Sequence, residues 1–357
     1  MIPQLNPKSP PYAWLPALIL VMAMVALSIG GILLRHIETR LVASSGESLA
    51  LAASAIAGKL DILLAERYGD VRMMAKSRTF LERDPVAMTQ YLTWMQKAYP
   101  VYAWLAVTDE HGRIIAATDP SSVGQARSDR DWFRATRDWG GVHVQDAQVS
   151  EDSGGLVAVA YSAPIRGTRG EFLGTVTSRV ALPALENIFA ATVRDFQDQR
   201  GPAAKIEWQF LTRDGDVISD SILHQEGQVN LKFLALPSAL FVGSAQPGYI
   251  EERHLRRHVP VITGYAQTVG EGEFTGLHWG VLVRMDKGDA LAPIYALLVK
   301  LGAAGVAVVM PMLGFLLWSA QRLKIEWALA QKESVRASAA VIVLTEQTAT
   351  QQLLLET

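Results

Sequence analysis

From Trp14 to Leu34 the chain is an almost unbroken apolar run without a charge, long enough to cross the hydrocarbon core of a bilayer as a helix. Pro16 falls in the first turn, where the backbone N–H groups lack internal partners anyway. The run is longer than the apolar region of a signal peptide, and Ile32-Leu33-Leu34 offers no small-residue cleavage site, so a retained anchor is expected. The pattern then turns amphipathic. Ile37, Leu41, Leu49, Ala52, Ile56, Leu60, Leu63, Leu64, Tyr68 and Val71 recur near helical spacing and predict one long helix from His36 to Phe80, with Ser44-Ser45-Gly46 as its weak point. Asp84-Pro85 opens a second helix to about Ala98, and Tyr99-Pro100 ends it.

From Leu105 the period shortens. Leu105-Ala106-Val107 runs into Asp109-Glu110-His111-Gly112 and out through Arg113-Ile114-Ile115-Ala116, which reads as a hairpin. A short amphipathic segment follows, Trp132 to Thr136, and then two β-rich runs, Leu156 to Pro164 and Phe172 to Leu182, separated by Arg166-Gly167-Thr168-Arg169-Gly170. The same grammar returns about a hundred residues on: Gln209 to Ile218 restates the hairpin, and His258 to Tyr265 with Gly280 to Met285 restates the closing pair. Between them Pro183, Leu185, Ile188, Phe189, Val193 and Phe196 predict a connecting helix over 183–202, stopped by Arg200-Gly201-Pro202. The second unit has a looser middle, Ser221 to Gly248, where a binding segment would sit.

Tyr295 to Trp318 is the second membrane candidate, apolar except for Lys300, with aromatic residues at its ends and Arg322 and Lys324 just beyond. Those charges place the C-terminus in the cytoplasm, and two crossings put both termini there. After it Leu323, Trp327, Ala330, Ser334, Ala337, Val341 and Leu344 alternate spacings of four and three, a soft heptad that suits a parallel homodimer. The chain has no cysteine, which is compatible with an oxidising compartment, and its formal net charge of -2 argues against nucleic acid as a partner. The expected plan is a cytoplasmic N-terminus (1–13), a first membrane helix (14–34), a stalk helix and second helix (35–104), a membrane-distal module (105–182), the connecting helix (183–202), a membrane-proximal module (203–292), a second membrane helix (293–319) and a cytoplasmic signalling helix (320–357).

Hairpin, small helix and antiparallel pair, occurring twice behind one long helix, resemble the double-Cache family of extracytoplasmic bacterial sensor domains over roughly residues 36–292. The resemblance implies an α+β fold of two PAS-like antiparallel-sheet modules between two transmembrane helices, in a receptor of the bacterial inner membrane. In members that bind amino acids it also implies an Arg-x-Trp-Tyr motif whose arginine takes the ligand carboxylate, flanking tyrosines, and an acidic residue that holds the ammonium. Arg130-Asp131-Trp132-Phe133 is similar, with Phe133 in place of tyrosine, while the flanking tyrosines would fall near Gln125 and Gln148 and the acidic position near Arg179.

An ammonium brought to Arg179 would meet repulsion, so a small mono- or dicarboxylate is the expected ligand. Arg130 and Arg179 would anchor it, Trp132 and Phe133 would wall it, and Gln148 or Tyr161 would donate hydrogen bonds. The alternative is that these arginines pair with Asp129, Asp131 or Asp146 and bind nothing. No metal or cofactor is called for: His254 and His258 sit four apart but among arginines, and Asp214-Gly215-Asp216 lacks the rest of a calcium loop. The chain carries no Gly-x-Ser-x-Gly elbow and no cysteine nucleophile, so no catalytic residue is nominated. Rival readings are the front end of a sensor histidine kinase or diguanylate cyclase, or a module that senses a partner protein instead of a small ligand. The partners expected are thus a carboxylate-like small molecule, the lipid bilayer, a second copy of the chain and a cytoplasmic signalling partner or fused output domain.

Overall fold

The computed structural model describes residues 15–149, 154–185, 205–221, 229–244 and 246–355. Helix α1 spans Leu15–Lys76, 62 residues without a break, so the apolar run and the amphipathic stripe are one helix. It passes straight through Ser44-Ser45-Gly46. The reason lies outside the helix: a Cβ on Gly46 would stand 2.2 Å from the ring of Tyr249, so the missing side chain is where an aromatic ring seats. The helix stops short of Phe80, because Ser77 takes an extended backbone (φ -73°, ψ 148°). The single turn α2 (Arg78–Leu81) then buries Phe80 edge-on against Tyr91, 5.4 Å between ring centroids. Helix α3 (Pro85–Ala98) opens as expected on Asp84, whose carboxylate accepts the Val86 N–H at 3.0 Å, with proline in its first turn.

Two five-stranded antiparallel sheets follow. The first contains β1 (Tyr102–Thr108), β2 (Ile114–Ala117), β3 (His143–Val149), β4 (Val157–Arg166) and β5 (Phe172–Ala181), ordered β2-β1-β5-β4-β3. The second contains β6 (Ile206–Leu211), β7 (Val217–Asp220), β8 (Gly248–Arg253), β9 (Pro260–Gln267) and β10 (Gly280–Asp286), ordered β7-β6-β10-β9-β8. Strand for strand the order is the same, so the repeat read from the sequence is a repeat of topology. The chain is α+β, two such sheets laid along one helix. The segment expected to connect them is helical over residues 182–185 and otherwise lies outside the described residues, as do residues 1–14.

Each sheet turns one face to α1 and the other to a short covering segment. On the α1 side Leu49, Ile56, Leu60, Leu64 and Val71 join Tyr161, Val180, Phe210, Ile262 and Val283 in one core, all almost fully buried. The approach is closest at Gly264 of β9, where a Cβ would come within 2.2 Å of the Leu49 backbone. The far face of the first sheet is covered by α4 (Asp131–Trp139), pinned by a 2.8 Å hydrogen bond between the Thr136 and Thr175 hydroxyls. The far face of the second is covered by residues 229–244, including α5 (Pro237–Phe241), over a second core of Leu211, Val217, Leu231, Leu236, Ala239, Val242 and Leu282.

The loop between β9 and β10 joins the two modules. Asp61 of α1 accepts the Val269 and Gly270 N–H groups at 2.9 and 2.8 Å. Phe274 lies 5.7 Å from the ring of Tyr68 and 6.3 Å from that of Tyr161, Arg72 pairs with Glu273, and the Trp279 indole N–H donates to Asp146 at 2.7 Å. Burial holds the Asp146 carboxyl above its usual range, against the two hydrogen bonds that favour its charge. The folded protein therefore keeps a proton there that the unfolded chain has released, and the stability linked to this group falls as pH rises from the ordinary carboxylate range through the raised value. Asp146→Asn keeps an acceptor for Trp279. It is expected to raise the melting temperature near pH 7 while matching the wild type near pH 4, and an equal change at both pH values would refute the assignment.

The last element is α6 (Lys287–Leu355), a single helix that contains Pro293 and Pro311. Within both α1 and α6 there is a window of mean hydropathy 2.0, so each is long and apolar enough to cross a membrane.

Candidate functional site

The site begins with a register. In β5 Arg179 lies opposite Trp104 of β1 on one side and Ala160 of β4 on the other, which fixes all three on the face that α4 covers. The indole of Trp104 is held by its N–H to the Ser122 hydroxyl at 3.2 Å. Trp132, in the first turn of α4, comes down on the same place. The guanidinium of Arg179 stands 5.3 Å from the Trp104 ring and 5.6 Å from the Trp132 ring, and the residue is 3% exposed. Its Nη1 donates to the Thr177 hydroxyl at 2.8 Å and to the Ser178 carbonyl at 3.0 Å. Indole faces and fixed acceptors orient a planar cation and compensate part of its lost hydration.

Edge strand β3 supplies the opposite wall. Gln145 pairs with Ala160 but Gln148 pairs with Ala158, so Asp146 and Ala147 of β3 together oppose Val159 of β4. This bulge brings both amides, three apart in sequence, to one face. Together Asp129, Arg130, Asp131, Trp132, Arg134, Gln145, Gln148 and Arg179 line a cavity of about 280 Å³ at the N-terminal end of α4. Asp131 is engaged by Arg134 at 2.5 Å, and Arg130 is solvent-exposed at the rim. Three arginines against two aspartates leave the lining with an excess positive charge, and the helix end adds its free N–H groups.

Of the six residues singled out from the sequence, the structure brings Arg130, Trp132, Gln148 and Arg179 to this cavity and leaves two out. Phe133 is buried against Phe172, 5.8 Å between centroids, because the residue after Trp132 on α4 points a third of a turn away. Tyr161 pairs with Val144 and Ser178, on the α1 face of β4, where it is fully buried beside Phe274 at the junction of the modules. It is thus no donor to the cavity. Asp146, weighed as a partner for the arginines, is turned to the same side by the bulge and serves Trp279.

Trp104 and Gln145 belong to the site and were not singled out. Trp104 is marked only by its place across from Arg179, which needs the β1–β5 register, and Gln145 only by the bulge. At the second module His254 donates through Nε2 to Glu207 at 3.0 Å, since its Nδ1 accepts the Arg256 and Arg257 N–H groups. No group of side chains suited to hold a metal occurs among the described residues.

A five-stranded antiparallel sheet built twice along one long helix is a fold that the chain shares with solved ligand-binding and sensory domains of bacterial receptors. The chain is similar to the ligand-binding domain of the Pseudomonas aeruginosa PAO1 amino acid chemoreceptor PctB in complex with L-Arg, at TM-score 0.50 and 15% identity, over 69% of this chain and 97% of that one. It is similar to the sensory domain of the Campylobacter jejuni chemoreceptor Tlp3 with isoleucine bound, at TM-score 0.50 and 9% identity, over 71% and 97%. An extracellular ligand binding receptor from Desulfohalobium retbaense matches at TM-score 0.51 and 16% identity, over 66% of this chain and 40% of that one. No protein-family profile matches the chain, and no curated protein does.

Proposed function

We propose that this chain is the sensory input part of a membrane receptor, a two-pass protein whose sheets lie outside the cytoplasm and bind a small polar carboxylate in the distal cavity. The observation that carries the reading is the guanidinium of Arg179, buried between two indoles on the lining of that cavity. A fork of N–H donors suits a carboxylate, and Gln145 and Gln148 supply amides for a second polar end, so a dicarboxylate of succinate size is the preferred class. The domain plan set out above, with spans at 14–34 and 293–319 and both termini in the cytoplasm, belongs to this proposal, as does dimerisation through the heptad after Arg322. Output passes to a cytoplasmic partner or a fused domain.

A second reading has its own support. Asp129 and Asp131 also line the cavity, and the similar chemoreceptor domains were solved with L-Arg and isoleucine, so an amino acid could place its ammonium at that rim. Thermal shifts of the full chain in nanodiscs separate the two. Succinate or malate is expected to raise the melting temperature, and Arg130→Ala, at the exposed rim, to weaken that response severalfold without destabilising the unliganded protein. A response to amino acids but not to dicarboxylates would favour the second reading, and no response to either class would leave the partner-sensing alternative.

A further inference from the structure

The second module has a cavity on the equivalent face. It measures about 270 Å³ and is lined by Gln209, Val217, Asp220, Val229, Leu231, Leu234, His254, Leu255, Arg256 and Arg284. At its base Arg284 stands opposite Glu207 of β6 and Thr263 of β9. Glu207 lies two residues before Gln209, which pairs with Asp220; Trp104 lies two residues before Ala106, which pairs with Ala117. Arg284 therefore occupies in the second sheet the place that Arg179 occupies in the first.

Its surroundings differ. Arg284 is 3% exposed, and its Nε and Nη2 have no hydrogen-bond partner among the described residues. Those two nitrogens form one side of the guanidinium fork, the side that takes both oxygens of a carboxylate. The nearby carboxylates are committed elsewhere. Glu207 holds His254 and Arg257, Asp220 holds Gln209 and Arg256, and Glu252 accepts from the Ser238 N–H, the Ser238 hydroxyl and the Thr263 hydroxyl. A buried arginine left with two idle donors is costly, and natural cores rarely keep one. The remaining wall is aliphatic: Val217, Val229, Leu231, Leu234 and Leu255.

We propose that the proximal module is a second binding site, in which the Nε and Nη2 of Arg284 take the carboxylate of a small aliphatic monocarboxylate whose hydrocarbon end packs on Val229, Leu231 and Leu255. The two sites thus differ in class: the distal lining is polar and cationic, whereas the proximal one sets an aliphatic wall against a buried fork, with Gln209, Asp220, His254 and Arg256 around it. The inference stands apart from the distal proposal, because it uses none of the same residues.

The test uses the full chain in nanodiscs, with isovalerate as the probe and melting temperature and equilibrium dialysis as readouts. Isovalerate is expected to stabilise the wild type and an Arg179→Met variant alike and to bind one molecule per chain. Arg284→Met, which replaces the guanidinium by an apolar chain, is expected to lower that affinity at least tenfold. Should Arg284→Met fail to fold, Val229→Phe fills the cavity from its rim with the arginine intact, and it too is expected to abolish the response. Isovalerate binding that survives both Arg284→Met and Val229→Phe would overturn the proposal, as would binding lost in Arg179→Met. Absence of binding to the wild type would overturn it as well. A response to leucine but not to isovalerate, lost in Arg284→Met, would overturn the ligand class.

Discussion

Replacing Gly264 by valine is expected to destabilise the two-sheet part of the chain by about 3 kcal/mol, the upper end of what overpacking a core costs. The atoms that a Cβ would meet belong to the Leu49 and Ala50 backbone at 2.2 to 2.4 Å, so no rotamer change relieves the clash and α1 itself must move off β9. That displacement would also strain the contacts further along the helix, the hydrogen bonds of Asp61 to Val269 and Gly270 first among them. Denaturant unfolding of the full chain in detergent measures it. Gly243→Val, at a position where a Cβ meets nothing within 4 Å, is the control and should cost far less. A loss at Gly264 no larger than at Gly243 would mean that α1 does not seat against β9 as closely as described.

Arg179→Ala is expected to weaken dicarboxylate binding at least about thirtyfold, equivalent to about 2 kcal/mol, the lower end of the cost of truncating one member of a buried hydrogen-bonded charge pair. The side chain does more than supply charge. It fills the space between Trp104 and Trp132, so its removal also loosens the two indoles that shape the cavity. Arg179→Lys separates these contributions. Lysine keeps the charge but has neither the fork nor the plane, and it should recover only part of the affinity. Calorimetric titration of the full chain with succinate reads both variants. Equal affinity for wild type and Arg179→Ala would remove the distal site from this face of the sheet.

The sequence showed the architecture more plainly than the site, and the residues explain why. Helix and strand periods, the turn residues and the repeated hairpin are local, so the hairpin and closing pair were legible and the structure returns them twice, while the edge strands β3 and β8 were not. What a strand residue faces is not local. Tyr161 and Ala160 are neighbours on β4, yet one packs under α1 beside Phe274 and the other lies beneath the cavity. A single-residue shift of register exchanges them, and a run such as Val157 to Tyr161, without a charged residue, has no polar alternation to mark the face. The same limit hid Trp104, which gains its role from Arg179 more than seventy positions away. Ser44-Ser45-Gly46, the weak point of the expected helix, stays helical for a related reason: helix propensity is a weak term, and the ring of Tyr249 against Gly46 overrides it.

The bulge in β3 gives that strand two audiences. Gln145 and Gln148 look into the distal cavity, while Asp146 between them holds the indole N–H of Trp279 in the other module. If the amides close on the ligand proposed above, a shift of the strand would reach the other module through that hydrogen bond. Beyond Trp279 the chain has no slack to absorb it: β10 begins at Gly280, runs without interruption to Asp286, and the C-terminal helix starts at Lys287. In the receptor proposed above, one extended strand would therefore tether the cavity wall to the foot of that helix.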